Sequence, residues 1–134
     1  MDVIIMDMGN DIKGESSAPG YEKKIELLSF SHDYVSDPTS SRGRDPRDAK
    51  NMTVSKYLDT VSPVLHRAAM EGKVFPQVNI IIGRNDAGRV TVLLRYILKN
   101  VLISSLSIGG GGGDKPVETV TLSYDSISWD YSFG

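Results

Sequence analysis

The chain contains no cysteine, only two histidines and one tryptophan, and few aromatic residues of any kind. Without thiols there are no disulfides, no thiolate nucleophile and no thiolate metal site, so stability must come from packing or assembly. The two histidines offer little to a metal: His32 lies in a strand-like stretch and His66 in a helical one, with Met70 where a second helical ligand would stand. Asp2, Asp7 and Asp11 do not follow the loop spacing of an EF-hand. No apolar run approaches the roughly 18 residues of a membrane-spanning helix. The opening stretch, residues 1–7, has neither the basic region nor the apolar core of a secretory signal. An excess of one charge is also missing. The formal net charge of -2 gives no general attraction to nucleic acid or to an anionic membrane.

Catalytic signatures are lacking too. Five glycines run from Gly109 to Gly113, but Asp114, Lys115 and Pro116 follow them, where a phosphate-cradling loop needs Lys and then Ser or Thr at the start of a helix. The serines include no Gly-x-Ser-x-Gly elbow, and neither histidine is framed as a base. Arg42, Arg44 and Arg47 alternate with Asp37, Asp45 and Asp48, which reads as a solvated loop or a contact with an acidic neighbour. The expectation is a protein that is not an enzyme and has no cofactor.

What is present is β-structure. At 134 residues with 40% hydrophobic and 24% charged content, the chain is expected to be one folded domain, 1–134. Residues 3–8 and 52–58 read as strands, and 24–34 alternates as one strand, with Leu28, Phe30 and His32 on one face and Ile25, Leu27, Ser29 and Ser31 on the other. One helix is expected after Ser62, which can cap it. Pro63 takes the first helical position, Gly72 is the left-handed stop, and Val64, Leu65, Ala68 and Ala69 form the apolar stripe. Residues 78–82, 89–108 and 118–131 complete the strands. The last run changes face between Leu122 and Ile127, which predicts a bend near Asp125-Ser126, and Trp129 and Tyr131 are expected to pack in the core. Strands about 89–108 carry apolar residues on both faces, more than a small domain covers alone, so self-association is expected. The predicted fold is mainly β, an antiparallel barrel or sandwich with one short flanking helix.

Several stretches together resemble the haemolysin-coregulated protein (Hcp) family, the tube subunit of bacterial type VI secretion. They are Ile12-Lys13-Gly14-Glu15-Ser16, Ile25 through His32, and Lys56-Tyr57-Leu58-Asp59 leading into Ser62-Pro63-Val64-Leu65. Gly72-Lys73-Val74-Phe75-Pro76-Gln77, Val101-Leu102-Ile103-Ser104-Ser105, and Glu118-Thr119-Val120-Thr121-Leu122 with Trp129-Asp130-Tyr131 follow in family order. The resemblance implies a phage tail-tube-like barrel, with six copies closing into a ring and rings stacking into a tube. It further implies effector proteins carried in the lumen, spike and sheath proteins as partners, and passage from the bacterial cytoplasm to the outside without a cleaved signal peptide. Neither nucleic acid nor membrane is expected as a partner. On this reading Ser29 and Ser31 face the lumen and its cargo. Tyr34, Asp37, Arg42, Arg44, Asp45 and Arg47, within the long loop 33–50, form a subunit-interface loop. The chain differs from many members in ending soon after Tyr131 and in the charged character of that loop. The rival readings are a tail-tube protein of a phage-like contractile particle and a monomeric barrel that binds a small ligand.

Overall fold

The computed structural model of the chain describes residues 2–9, 12–18, 21–34, 50–86, 88–110, 112–113 and 115–131. Eight strands and one helix follow in the order β1 (Asp2–Asp7), β2 (Ile25–Glu26), β3 (Ser29–Tyr34), β4 (Lys50–Tyr57), α1 (Ser62–Glu71), β5 (Val74–Asp86), β6 (Arg89–Gly109), β7 (Val117–Ser123) and β8 (Ser126–Tyr131). All pairings are antiparallel. The strand path is β2-β1-β5-β6-β7-β4-β3, with β8 alongside β6.

This sheet folds over on itself at one corner, where three neighbouring strands change face together. In β5 the buried side chains pass from Phe75 to Val78, across Pro76. In β6 they pass from Leu98 to Val101, across Asn100, whose φ is 52°. Beside them the chain leaves β7 after Ser123 and resumes as β8 at Ser126, and the Asp125 N–H donates to the Lys99 carbonyl at 3.0 Å. The bend expected near Asp125-Ser126 is therefore one part of a corner shared by three strands. Asparagine tolerates the left-handed conformation that most side chains resist, which suits it to this turn of the backbone. One layer comprises β2, β1, β5, the first half of β6 and β8; the other comprises the second half of β6, β7, β4 and β3. The sheet is unclosed among the described residues, so the expected barrel or sandwich takes the form of a folded open sheet.

Both layers feed one core. Met6, Met52, Val54, Val78, Ile80, Leu98, Ile103, Val120 and Leu122 belong to a single apolar cluster, and Leu65 and Ala68 of α1 join it. Across the layers, the Phe30 and Tyr96 rings lie 5.9 Å apart and those of His32 and Tyr96 5.5 Å apart. The His32 Nε2 pairs with the buried Tyr124 hydroxyl at 2.7 Å.

Three local expectations change. Residues 24–34 form two strands in different layers: Leu27 N–H donates to Ile4 of β1 and Leu28 N–H to Ser55 of β4, so the chain crosses over between them. That crossing exchanges faces, burying Ile25 and Leu27 before it and turning Phe30 and His32 inward after it. The helix begins and ends where Pro63 and Gly72 predict, and Lys73 and Gly72 N–H groups close its end on the carbonyls of Ala68 and Ala69. Its N-cap, however, is Val61 without a side-chain bond, and Val64 lies on the exposed side. Trp129 and Tyr131 are 58% and 65% exposed, not core residues. They pair with Tyr96 and Leu94 of β6, and the packing of Tyr96 against Phe30 and His32 leaves the Trp129 ring uncovered.

Candidate functional site

The outward face of the second layer is rich in short hydroxyl side chains. Direct pairing carries two rows across four strands: Ser29, Ser55, Thr119 and Ser107, then Ser31, Thr53, Thr121 and Ser105. Asn51 and Ser123 belong to a third row, which Asp33 of β3 continues in register, and the Ser123 hydroxyl donates to Asn51 at 3.1 Å. Residues directly opposite in antiparallel strands point to the same side, so these ten side chains share one face. The alternate rows, Phe30, Val54, Val120 and Leu106, and His32, Met52, Leu122 and Ile103, turn inward. Alternation of Ser and Thr with large apolar residues is what makes one side core and the other hydroxyl.

Ser29 and Ser31 are exposed on this face, and the Ser29 and Ser55 hydroxyls are hydrogen-bonded. Alternation in the sequence marks these two as polar positions, and residues 51–55 and 119–123 carry the same period-2 polar signal for the other strands of this face. Tyr34 ends β3, where its backbone pairs with Lys50. Asp37, Arg42, Arg44, Asp45 and Arg47 lie outside the described residues.

A polar network is buried where β4, β7 and the start of α1 meet. Lys56 and Glu118 are both fully buried and their charged groups are 2.7 Å apart. The Lys56 ammonium also donates to Asp59 Oδ1 at 2.8 Å, to the Tyr57 carbonyl at 2.8 Å and to the Ser62 hydroxyl at 3.2 Å. Ser62 donates to Glu118 Oε1, and His66 Nε2 donates to Oε2 at 3.0 Å. Burial alone pushes the Glu118 carboxyl up; the hydrogen bonds from Lys56 and Ser62, the Lys56 charge and the His66 bond outweigh it and hold the group below the ordinary carboxylate range. Ser62, His66 and Glu118 include the residue types of a nucleophile triad, but the arrangement does other work. Ser62 is 2% exposed and spends its proton on the carboxylate. The network ties the helix to two strands. Among the described residues, no group of three His, Asp or Glu side chains is placed to hold a metal ion.

A groove of about 310 Å³ opens at the end of the second layer, lined by Glu15, Glu26, Leu27, Leu28, Tyr57, Leu58, Asp59 and Lys115. Its apolar members Leu28, Tyr57 and Leu58 are exposed, and the Lys115 ammonium stands 5.4 Å from the centre of the Tyr57 ring.

Among the described residues this is a folded open sheet with a hydroxyl-rich outer face and strands paired on one side only at its edges, a fold whose distinctive chemistry lies on its surfaces. The family model described as "Type VI secretion system effector, Hcp" matches residues 5–131, and the chain belongs to that family. The chain is 31% identical over 126 residues to protein hcp1 of Pseudomonas aeruginosa, covering 90% of this chain and 78% of that one. A solved type six secretion system protein superimposes with a TM-score of 0.81 at 27% identity, covering 98% of this chain and 84% of that one. Hcp1 from Salmonella typhimurium superimposes with a TM-score of 0.80 at 24% identity, covering 98% and 88%. The chain is thus a subunit of the type VI secretion tube, a structural component from a family of secreted proteins.

Proposed function

We propose that six copies of this chain close into a ring whose lumen is walled by the hydroxyl face, and that rings stack into a tube carrying effector proteins. The observation that carries this reading is the two-row Ser/Thr field across β3, β4, β7 and β6. Short hydroxyl groups offer many weak, exchangeable hydrogen bonds and no fixed charge, a surface from which cargo departs as readily as it enters. Ser29 and Ser31 belong to this wall.

The strand edges support ring closure. Among the described residues, β3 has a neighbour on one side only and β6 beyond Leu102 is paired only with β7. Joining β6 of one copy to β3 of the next hides both edges with two different surfaces, the heterologous contact that closes by rotation. Six copies of four strands at about 4.8 Å give a wall of about 115 Å circumference and a backbone diameter of about 37 Å. A small folded protein fits inside. The segment with Asp37, Arg42, Arg44, Asp45 and Arg47, which follows Tyr34 in the sequence, is the part of the chain we assign to contact with a neighbouring copy. Spike and sheath proteins are the remaining partners. The subunit acts mechanically, without a cofactor or catalysis, and leaves the bacterial cytoplasm with the tube.

Light scattering on size-separated protein tests the ring. The expected mass is about six times the 14.6 kDa chain, with annular particles in electron micrographs. A 14.6 kDa monomer at every concentration, without annuli, overturns it.

A further inference from the structure

The hydroxyl face ends in a row of different chemistry. Tyr57 follows Thr53 and Ser55 along β4 on the same side, its direct partner on β7 is Val117, and Val117 pairs onward with Gly109 of β6. Where the neighbouring rows present Ser and Thr, this one presents a phenol ring, a branched aliphatic and bare backbone. A cleft of about 360 Å³ opens there, lined by Tyr57, Gly113, Lys115 and Val117. Tyr57 is 45% exposed, and the Lys115 ammonium stands 5.4 Å from the centre of its ring. We infer that this cleft binds a Glu or Asp side chain on the surface of a cargo protein. Lys115 pairs with the carboxylate, and Tyr57 and Val117 pack against its methylene stem.

The fold brings Lys115 to this place. The Leu58 N–H donates to the Pro116 carbonyl at 3.0 Å, which ties the segment beside Lys115 to the end of β4. Gly113 has φ 97°, and a Cβ on Gly110 would lie 3.0 Å from the Pro116 Cα, so the hairpin closes tightly on positions without side chains. The glycine run, which lacks the sequence of a phosphate loop, thus delivers a lysine to the end of a hydroxyl face.

Charge selects the ligand. Lys115 is the one charged residue of the four that line the cleft, and the two Ser/Thr rows beside it carry no charge. Glu15, Glu26 and Asp59 line the neighbouring groove, and among the described residues no ion pair joins any of them to Lys115, so the ammonium is not spent on them. One exposed ion pair adds little and releases readily. Six such clefts facing one bore act together, because each contact made raises the effective concentration for the next. The hydroxyl rows let cargo slide, and the clefts keep it. Bulk added on those rows narrows the bore whatever its charge, so an arginine placed there does not reproduce the cleft. The inference rests on the proposed lumen and names the cargo chemistry that the lumen retains.

A fluorescent hexaglutamate peptide is the probe, with hexaglutamine and hexalysine as comparisons, and anisotropy on rings of verified mass is the readout. Hexaglutamate alone should bind. Lys115→Glu should weaken that binding at least about tenfold and Tyr57→Ser severalfold, and salt at about 0.5 M should abolish it. Lys13→Glu, an equal charge change at an exposed residue elsewhere, should leave it within about twofold. No binding of hexaglutamate, equal binding of hexalysine, or equal losses in Lys13→Glu and Lys115→Glu each overturn the cleft. The same peptide fixed to a bead wider than the ring separates the two readings. Loss of binding on the bead supports a cleft inside the bore. Lys115-dependent binding that persists on the bead, or that is found on a monomer, keeps the cleft and defeats the lumen.

Discussion

Lys56 on β4 and Glu118 on β7 face each other at 2.7 Å with both side chains wholly buried, and the first turn of α1 closes over them through Ser62 and His66. A buried ion pair adds little over an apolar pair of equal size, because removing two charges from water costs about as much as their attraction returns. Breaking one is different, because the survivor is stranded.

Lys56→Met and Glu118→Gln should therefore each destabilise the fold by about 3–5 kcal/mol, with the Lys56→Met/Glu118→Leu double variant costing less than the sum of two such losses. Urea midpoints at one fixed protein concentration measure this, since self-association would otherwise contribute to the apparent stability. Equal additivity would mean that the two side chains act separately.

The same pair sets an acid limit. Glu118 is held below its ordinary value in the folded state, so its contribution is complete above the unfolded carboxylate pKa of about 4.3 and is lost as pH falls through the lower folded value. Melting temperature should be level from pH 7 to about 5 and decline below about 4. In Glu118→Gln that decline should be shallower. Thermal melts across this range provide the comparison.

Asn100 stands at the corner of β6 with φ 52° and an exposed side chain. Asn100→Val should cost about 1–2 kcal/mol because a β-branched residue resists the left-handed conformation, while Asn100→Gly should stay within about 0.5 kcal/mol of the parent. Denaturant melts of the two variants decide it; equal losses would mean that the side chain, not the backbone, matters there.

On the hydroxyl face, Ser31→Arg and Thr121→Arg should leave ring mass unchanged while lowering the protein cargo that co-elutes with rings about tenfold, equivalent to about 1.4 kcal/mol of retention. Quantitative mass spectrometry of the ring fraction reads this out. Unchanged cargo would remove this face from the lumen.

Helix limits were legible because Pro63 and Gly72 act locally, and so was the break near Asp125, which is written in a change of alternation. The use of Ser62 was not legible: its hydroxyl serves Glu118, 56 residues away, and no local pattern announces such a partner. The division of 24–34 into two strands escaped notice because Leu27 and Leu28 are both apolar, so the exchange of faces between them leaves no polar mark. Trp129 and Tyr131 were misplaced for a related reason. Alternation identifies which residues share a face of a strand, not how much of that face is covered: Tyr96 packs against Phe30 and His32 while its partner Trp129 stays exposed. Of the ten residues of the hydroxyl face only Ser29 and Ser31 stood out: the polar alternation runs along each strand, but that the strands lie side by side and join it into one field is set by long-range pairing.

The 21-residue β6 is a member of both layers, with β5 beside it through the corner. Neither layer can peel away without tearing the other, so an object driven lengthwise by an external push would yield as a single block. A subunit hinged between two independent halves would buckle at that joint; one threaded by a common spine transmits thrust.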